Sequence, residues 1–269
     1  MSEIVPDHIH VGAFVVRSGL TEQSWVDLSD PLKLEFEYVR RIAEILEATI
    51  LLRGPDERVR VVHLGGGGLT LPRYVEARRP HTAQIVLEPD VALIDQVRAR
   101  LPLARHSGIK IRPMDGRTGV RELPDAYADL LIVDAFAGAQ VPADLATEEF
   151  FADAARVLRP GGQLVMNLGD RAPFDWTKRC LAGLARSLPQ QAVSAEVSVW
   201  KGGRYGNLVV LAGSRGLPTA ALERAVARAA FPYRLVGAGS LTAWVGGAAP
   251  FTDADSRPSI DPVARGWFT

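Results

Sequence analysis

Short runs of apolar, often β-branched residues alternate with amphipathic segments over most of the chain. The apolar runs predict strands at residues 59–64, 83–87, 109–112, 128–133 and 163–167. The segments between and after them predict helices at residues 71–79, 91–101, 148–158 and 176–188. Strands that alternate with helices in this way are typical of a mostly parallel sheet with helices on both faces, so we expect an α/β fold.

The N-terminal part has a different pattern. Residues 9–16 and 24–28 are β-prone and flank a turn, which predicts a β-hairpin. Behind the hairpin, apolar residues repeat at three- and four-residue spacing in a segment that begins with Asp30 and Pro31, a favourable N-cap and first helical residue. An amphipathic helix is therefore expected to start at this point.

Two further patterns bound the domains. A break at residues 53–55 predicts an N-terminal hairpin and helix over residues 1–57 and a main α/β domain over residues 58–269. In the last third of the chain, residues 196–200 and 208–212 flank a glycine-rich turn and predict an antiparallel pair of strands.

Composition limits the possible partners. The chain has 269 residues, of which 47% are hydrophobic, and this is enough to bury a full core. Lys+Arg and Asp+Glu both number 31, so the balanced charge gives no reason to expect nucleic acid or an anionic membrane surface as a partner. The single cysteine cannot form an intramolecular disulfide, and the sequence has neither a secretory signal pattern nor an apolar run of bilayer length. We expect a soluble, cytoplasmic protein.

Four consecutive glycines follow the first predicted strand of the main domain, in HLGGGGLTLPRYV. They are Gly65, Gly66, Gly67 and Gly68. A glycine run between a buried strand and a helix can take positive φ values and lets a ligand approach the backbone closely. We interpret the run as the floor of a nucleotide or nucleoside pocket at the end of the strand, and the alternative is a plain strand-to-helix turn.

A dinucleotide site is the main competitor for this loop. The dinucleotide fingerprint has a third glycine where this chain has Thr70, and it places a pyrophosphate at the helix N-terminus. Here the helix begins with the bulky, apolar residues 69–72. That composition suits an uncharged nucleoside thioether or a sulfonium better than a diphosphate.

Three acids follow three successive predicted strands. Glu88 comes after the second strand, about 20 residues beyond the glycines, where a carboxylate can reach ribose hydroxyls. Asp115 follows the third strand in RPMDGR, and Asp134 follows the fourth in LLIVDAF. Because the carboxyl ends of parallel strands meet at one edge of the sheet, we expect the three carboxylates to face one crevice.

In these motifs the chain resembles the spermidine synthase family, within the Rossmann-like S-adenosylmethionine-dependent transferases. The resemblance runs from about residue 19 to residue 171, with a weaker echo in FTDADSRPS near the C-terminus. It implies a Rossmann-like, doubly wound, mostly parallel seven-stranded sheet of the S-adenosylmethionine-dependent methyltransferase type, with a short N-terminal β-hairpin. It also implies a homodimer, to which the hairpin contributes.

The resemblance also assigns roles to residues. IVLEPD matches the strand with the ribose-binding acid, MDGR matches the acid and glycine that contact adenine, and LLIVDAF matches the strand that ends in the catalytic aspartate. TEQSWVDL and LEFEYV match the hairpin and the following helix, with Tyr38 in a matching place. The implied catalytic residue is Asp134, and the implied cofactor-binding residues are Gln23, Gly65, Gly66, Gly67, Gly68, Glu88, Asp115 and Gly116.

The chain departs from the family pattern at two acids. Gly68 stands where the family has an aspartate that holds the ammonium end of the aminopropyl group. Ala137 stands where the family has a second acid, three residues after Asp134, that helps to bind the polyamine. Because an ammonium group is costly to bury without a paired carboxylate, both losses weaken the expected attraction for a diamine.

The sequence thus predicts a transferase that binds S-adenosylmethionine or its decarboxylated form, without a metal ion, and that transfers an aminopropyl group to a small-molecule amine. Methyl transfer to another small acceptor is the second interpretation, and a non-catalytic nucleoside-thioether binder is the third. The histidines do not have the spacing of metal ligands. FTDADSRPS is interpreted as a lid over the site or, alternatively, as a disordered tail.

Overall fold

The protein begins with a small antiparallel sheet. The structure, a computed structural model, describes residues 2–19, 21–262 and 264–266. Three strands, not a hairpin, form this sheet: β1 (Ser2–Pro6), β2 (Ala13–Ser18) and β3 (Thr21–Asp27). Residues 9–12, which we expected to begin a strand, form the turn between β1 and β2 instead. The pattern missed β1 because only Ile4 of its five residues is buried, so hydrophobic alternation is almost absent.

The first helix, α1 (Glu37–Ala48), does not start at Pro31 as predicted. The acids before it are used in local turns: the Asp27 carboxylate accepts hydrogen bonds from the backbone N–H groups of Ser29 and Asp30, and the Asp30 carboxylate accepts one from Leu32. Short acidic side chains compete with helix formation in this way. The helix begins only where its buried residues can pack on the main sheet.

Eight strands form the main sheet. In chain order they are β4 (Arg60–Leu64), β5 (Ala83–Leu87), β6 (Ile109–Arg112), β7 (Ala128–Val133), β8 (Leu158–Asp170), β9 (Gln190–Glu196), β10 (Gly206–Gly213) and β11 (Tyr233–Val236). Their order across the sheet is β11-β9-β10-β8-β7-β4-β5-β6. The five neighbours from β6 to β8 are parallel, and β10, β9 and β11 extend the sheet by antiparallel pairing.

This sheet is Rossmann-like and of the S-adenosylmethionine-dependent methyltransferase type, as predicted, but it has eight strands and not seven. The additional strand is β11, which pairs with the edge strand β9. It was missed because four residues with a single buried side chain carry too little pattern. The predicted strand at residues 196–200 was also wrong, because β9 ends at Glu196 and one turn of helix follows, in which Val199 is buried. The strand at residues 206–213, β10, does pair antiparallel, but its partner is β9 at residues 190–196 and not residues 196–200.

Helices cover both faces of the sheet. After α1, they are α2 (Thr70–Arg78), α3 (Val91–Arg100), α4 (Gly116–Glu122), α5 (Glu148–Val157), α6 (Asp175–Ser187), α7 (Val197–Trp200), α8 (Thr219–Val226) and α9 (Ala238–Val245). The buried residues of α1, α2 and α8 pack in one apolar cluster, and those of α4, α5, α6 and α9 pack in another. In the described residues no helix has the length and apolar character that crossing a membrane requires.

Candidate active site

The site is built where the parallel strands end. The Gly65 N–H donates to the Leu87 carbonyl at 2.9 Å, and the Asp134 N–H donates to the Leu64 carbonyl at 3.0 Å, so the tips of β4, β5 and β7 lie side by side. The chain leaves β4 for β5 on one side and returns through β7 on the other, which makes this the switch point of the sheet. Ligands of open α/β sheets bind at such points.

Glycine is required at the tip of β4. Gly65 has a φ of +90°, and a Cβ atom there would lie 2.2 Å from the Asp134 carbonyl oxygen. The next residue, Gly66, donates its N–H to the Glu88 carboxylate at 2.8 Å. The glycine run therefore brings the strand tips and their acids within contact distance of each other.

A cavity of about 370 Å³ lies over these tips. Its wall contains all the predicted site residues except Gly68, namely Gln23, Gly65, Gly66, Gly67, Glu88, Asp115, Gly116 and Asp134. Leu93, Pro142 and Leu145 add apolar surface to the wall. We call this space the nucleoside cavity. The three acids of the strand tips do share one crevice.

Gly68 lies elsewhere. It is buried beneath the N-terminal sheet, and a Cβ atom added to it would lie 3.2 Å from the Ser24 hydroxyl oxygen and 3.3 Å from a Val16 methyl group. The space into which a side chain at position 68 would point is therefore filled by β2 and β3. An aspartate would not fit there without displacing the small sheet.

Two of the acids have their carboxylates fixed by backbone N–H groups. Glu88 accepts from Gly66 and, through its other oxygen, from Asp90 at 2.9 Å. Asp115 is the N-cap of α4 and accepts from the Thr118 N–H at 2.8 Å, which lowers the pKa of the Asp115 carboxyl. Both side chains are thus held as oriented hydrogen-bond acceptors at the cavity wall.

Asp134 has a different environment. Its carboxylate accepts a hydrogen bond from the Asn167 side-chain amide at 2.9 Å and another from the Tyr38 hydroxyl. Burial raises the pKa of Asp134 to about 6, although both hydrogen bonds oppose the shift. Burial and the adjacent Asp134 also raise the pKa of Tyr38. Asp134 can therefore accept and release a proton near neutral pH.

The hydrogen-bonded chain continues away from the nucleoside cavity. Asn207 on β10 donates a hydrogen bond from its side-chain amide to the side-chain oxygen Oδ1 of Asn167, at 3.0 Å. We did not assign Tyr38, Asn167 or Asn207 to the site from the sequence. A polar residue at the end of a buried strand was the available signal for Asn167, whereas nothing local marks Asn207, which reaches the site only through the pairing of β10 with β8.

A second and larger cavity, of about 1000 Å³, adjoins the first. The two share wall residues Gln23, Tyr38, Phe136 and Gly138. Gln23 donates its side-chain amide to the Gly138 carbonyl at 3.0 Å, so the N-terminal sheet holds the loop that follows Asp134. We call the larger space the acceptor cavity, and Tyr38, next to Asp134, stands at the junction of the two.

The C-terminal segment holds the same loop from the other side. The Ser259 hydroxyl accepts from the Val141 N–H at 2.9 Å, and the Ser259 N–H donates to the Val141 carbonyl at 3.1 Å. Farther along, Arg117 donates to the Thr147 hydroxyl and to the Asp253 carboxylate. The FTDADSRPS segment is thus packed on the fold; it is not a disordered tail, and its residues do not line the nucleoside cavity as a lid would.

A solved structure gives the clearest comparison. The chain superposes on a probable spermidine synthase from Corynebacterium glutamicum with a TM-score of 0.86 and 30% sequence identity, over 94% of this chain and 92% of the other. The chain belongs to the spermidine synthase-like family. The resemblance in the sequence motifs is thereby confirmed, and members of this family and its relatives are transferases.

Curated relatives point to two reactions. A polyamine aminopropyltransferase from Chromobacterium violaceum is 29% identical over 164 residues, which cover 60% of this chain and 60% of that protein. The matched segment thus spans about three fifths of that relative. A trans-aconitate 2-methyltransferase from Methylobacterium radiotolerans is 29% identical over 225 residues, or 82% of this chain and 79% of that one. No family model matches the chain.

Proposed function

We propose that this spermidine synthase-like protein transfers an aminopropyl group from decarboxylated S-adenosylmethionine to an amine. The observation that carries the proposal is Asp134, a carboxylate with a pKa of about 6 in the wall of the nucleoside cavity, which is hydrogen-bonded to Tyr38 where the larger cavity adjoins. A base in this position can remove a proton from a nucleophile in one cavity, and the nucleophile can then attack a carbon in the other.

The nucleoside cavity fits the adenosyl half of such a donor. Glu88 can accept from the ribose hydroxyls, and Asp115 can accept from an amino group on the base. Gly116, next to Asp115, has no space for a side chain, because a Cβ atom there would lie 2.8 Å from the Leu64 side chain. The wall contains no arginine or lysine that would neutralise a diphosphate, which agrees with an uncharged nucleoside.

In the proposed reaction the sulfonium supplies a good leaving group, a neutral thioether. The amine nitrogen of the acceptor forms a bond to the methylene carbon next to sulfur as the carbon–sulfur bond breaks. The electron pair of the broken bond stays on the sulfur of methylthioadenosine. An ammonium ion has no free electron pair, so Asp134 removes a proton from the acceptor. Tyr38 and Asn167 orient the Asp134 carboxylate by donating to it.

Detection of both products tests the proposal. The protein should release methylthioadenosine from decarboxylated S-adenosylmethionine when an amine is added, and mass spectrometry should find the aminopropylated amine in equal amount. If no amine of a broad panel yields methylthioadenosine, aminopropyl transfer is excluded. If methylthioadenosine still binds tightly in that case, the protein is a nucleoside-thioether binder.

Methyl transfer is the second candidate, because the methyltransferase relative aligns over 82% of the chain. The two donors differ in one carboxylate, which decarboxylation removes. Calorimetric titration with each donor separates the candidates: tighter binding of the decarboxylated form supports aminopropyl transfer, and tighter binding of S-adenosylmethionine supports methyl transfer.

The homodimer, the cytoplasmic location and the absence of a metal remain predictions.

A further inference from the structure

The acceptor cavity is much larger than a short diamine. Its volume of about 1000 Å³ is more than twice the 370 Å³ of the nucleoside cavity. A linear four-carbon diamine would leave most of that space filled with water, so it would gain little from apolar burial there. The size alone favours an acceptor with a bulky body.

Six of the described wall residues of the cavity are aromatic. They are Phe36, Tyr38, Phe136, Tyr205, Phe231 and Tyr233, contributed by the segments around α1, β7, β10 and β11. Aromatic faces of this kind pack against flat rings in offset or edge-to-face arrangements, which stabilise the contact beyond simple burial. A ring-bearing ligand therefore gains more from these walls than an alkyl chain does.

The carboxylates of the cavity differ in how far they are paired. Glu196 is paired with Arg204, and Glu37 is paired with Arg40 through one oxygen. The other oxygen of Glu37 is buried and has no hydrogen-bond partner among the described residues. Glu22 and Glu35 are exposed, so water and salt screen their charge.

Among the described residues, the wall that the two cavities share contains no carboxylate. Ala137 stands where the family pattern has an acid, and Phe136 lines both cavities. The two cavities share the wall residues Gln23, Tyr38, Phe136 and Gly138, and Asp134 lies beside Tyr38 in the wall of the nucleoside cavity. This end of the cavity can accommodate one amine group next to Asp134, but it provides no carboxylate pair for a dication.

We propose that the acceptor is an arylalkylamine, with its single amine next to Asp134 and its ring between the aromatic walls of the acceptor cavity. This inference rests on the proposed function, since it names the substrate class of the same site. The carbon–nitrogen bond is formed as described above, and the proton of the amine goes to Asp134.

Calorimetry on the protein saturated with methylthioadenosine tests the inference by binding alone. Phenethylamine should bind at least tenfold more tightly than butane-1,4-diamine, a difference of about 1.4 kcal/mol. Equal or tighter binding of the diamine, or no measurable binding of phenethylamine at millimolar concentration, overturns the inference. Turnover with decarboxylated S-adenosylmethionine is measured separately, so a failure of transfer and a failure of the acceptor class give different results.

Three variants sharpen the test. Phe136→Ala should weaken phenethylamine binding roughly threefold to tenfold and leave the diamine unchanged. Ala137→Asp restores an acid beside the junction and should tighten the diamine only. Glu122→Gln, an exposed carboxylate outside both cavities, is the control and should change neither ligand by more than about twofold. A loss of both ligands in Phe136→Ala, with the fold retained by circular dichroism, contradicts the ring-specific role.

Discussion

The two cavities that meet at Tyr38 are built in different ways. The nucleoside cavity consists mainly of backbone turns and acids at the tips of adjacent strands. There Gly65 donates to the Leu87 carbonyl, Asp134 donates to the Leu64 carbonyl, and Gly66 donates to the Glu88 carboxylate. The acceptor cavity consists mainly of side chains from seven separate parts of the described chain. Strand tips are fixed by the sheet, whereas the side chains can be exchanged without altering it.

This difference explains how one fold can keep a cofactor site and change its second substrate. A substitution in the glycine run would push the tip of β4 against β7, since the Gly65 Cβ position lies 2.2 Å from a carbonyl oxygen. By contrast, Ala137 is exposed and an acid could be placed there without a clash. The comparison can be tested by substitutions that act on one cavity at a time or on the residue between them.

The largest effect is expected at the junction. Asp134→Asn keeps the shape of the side chain and an oxygen that can accept from Asn167, but it removes the base. We expect kcat of aminopropyl transfer to fall by about 10²–10⁴, with methylthioadenosine affinity nearly unchanged. Asp144→Asn, an exposed residue of the same cavity, is the control and should retain activity. Full activity of Asp134→Asn would remove Asp134 from catalysis.

The pH dependence gives an independent measurement on the same residue. A base must be ionised, and the pKa of Asp134 is about 6, so kcat should fall about tenfold per pH unit below pH 6 and level off above it. The hydrogen bond from Asn167 stabilises the ionised form and lowers the pKa. Asn167→Ala should therefore move the fall in rate to higher pH. If the rate of the variant falls over the same pH range as that of the unchanged protein, another group titrates.

A smaller effect is expected in the nucleoside cavity alone. Glu88→Gln retains one oxygen for the Gly66 N–H but loses a charged acceptor for the ribose hydroxyls. Methylthioadenosine binding, measured by calorimetry, should weaken about tenfold, which corresponds to the roughly 1.5 kcal/mol of one hydrogen bond to a charged group. The 2′-deoxy analogue should bind the variant and the unchanged protein alike if the lost contact is to the ribose. Equal weakening for both ligands would indicate a general distortion of the loop.

Much of the nucleoside half could be predicted from the sequence, because its signals are contiguous. The glycine run, Glu88, Asp115 and Asp134 each sit directly after a short apolar strand, and parallel pairing brings such positions together. Gly68 shows the limit of this reasoning. The motif predicted Gly68 to line the site, but β2 and β3 pack over it. That contact joins residues far apart in the sequence, so no local pattern predicts it.

The acceptor half could not be predicted in the same way. Tyr38, Asn207 and Tyr233 come from α1, β10 and β11, which are brought together by antiparallel pairing and helix packing across more than 190 residues of sequence. The elements themselves were also the hardest to predict: β11 has four residues, and Val197 to Trp200 form a helix despite their β propensity. Short elements at sheet edges are set by tertiary contacts, and so are the sites that they line.

The smallest effect is expected where the C-terminal segment supports the loop that both cavities share. Ser259→Ala removes the acceptor of the Val141 N–H, and leaving that buried group unpaired should cost about 1–3 kcal/mol of stability. Because Pro142 and Leu145 of this loop line the nucleoside cavity, methylthioadenosine affinity should fall by only a few fold, and hydrogen exchange should rise at residues 137–146. Thr252→Ala, an exposed contact within the same segment, is the matched control. If Ser259→Ala lowers the melting temperature without any change in affinity or in loop exchange, the segment stabilises the fold but does not hold the cavity wall in place.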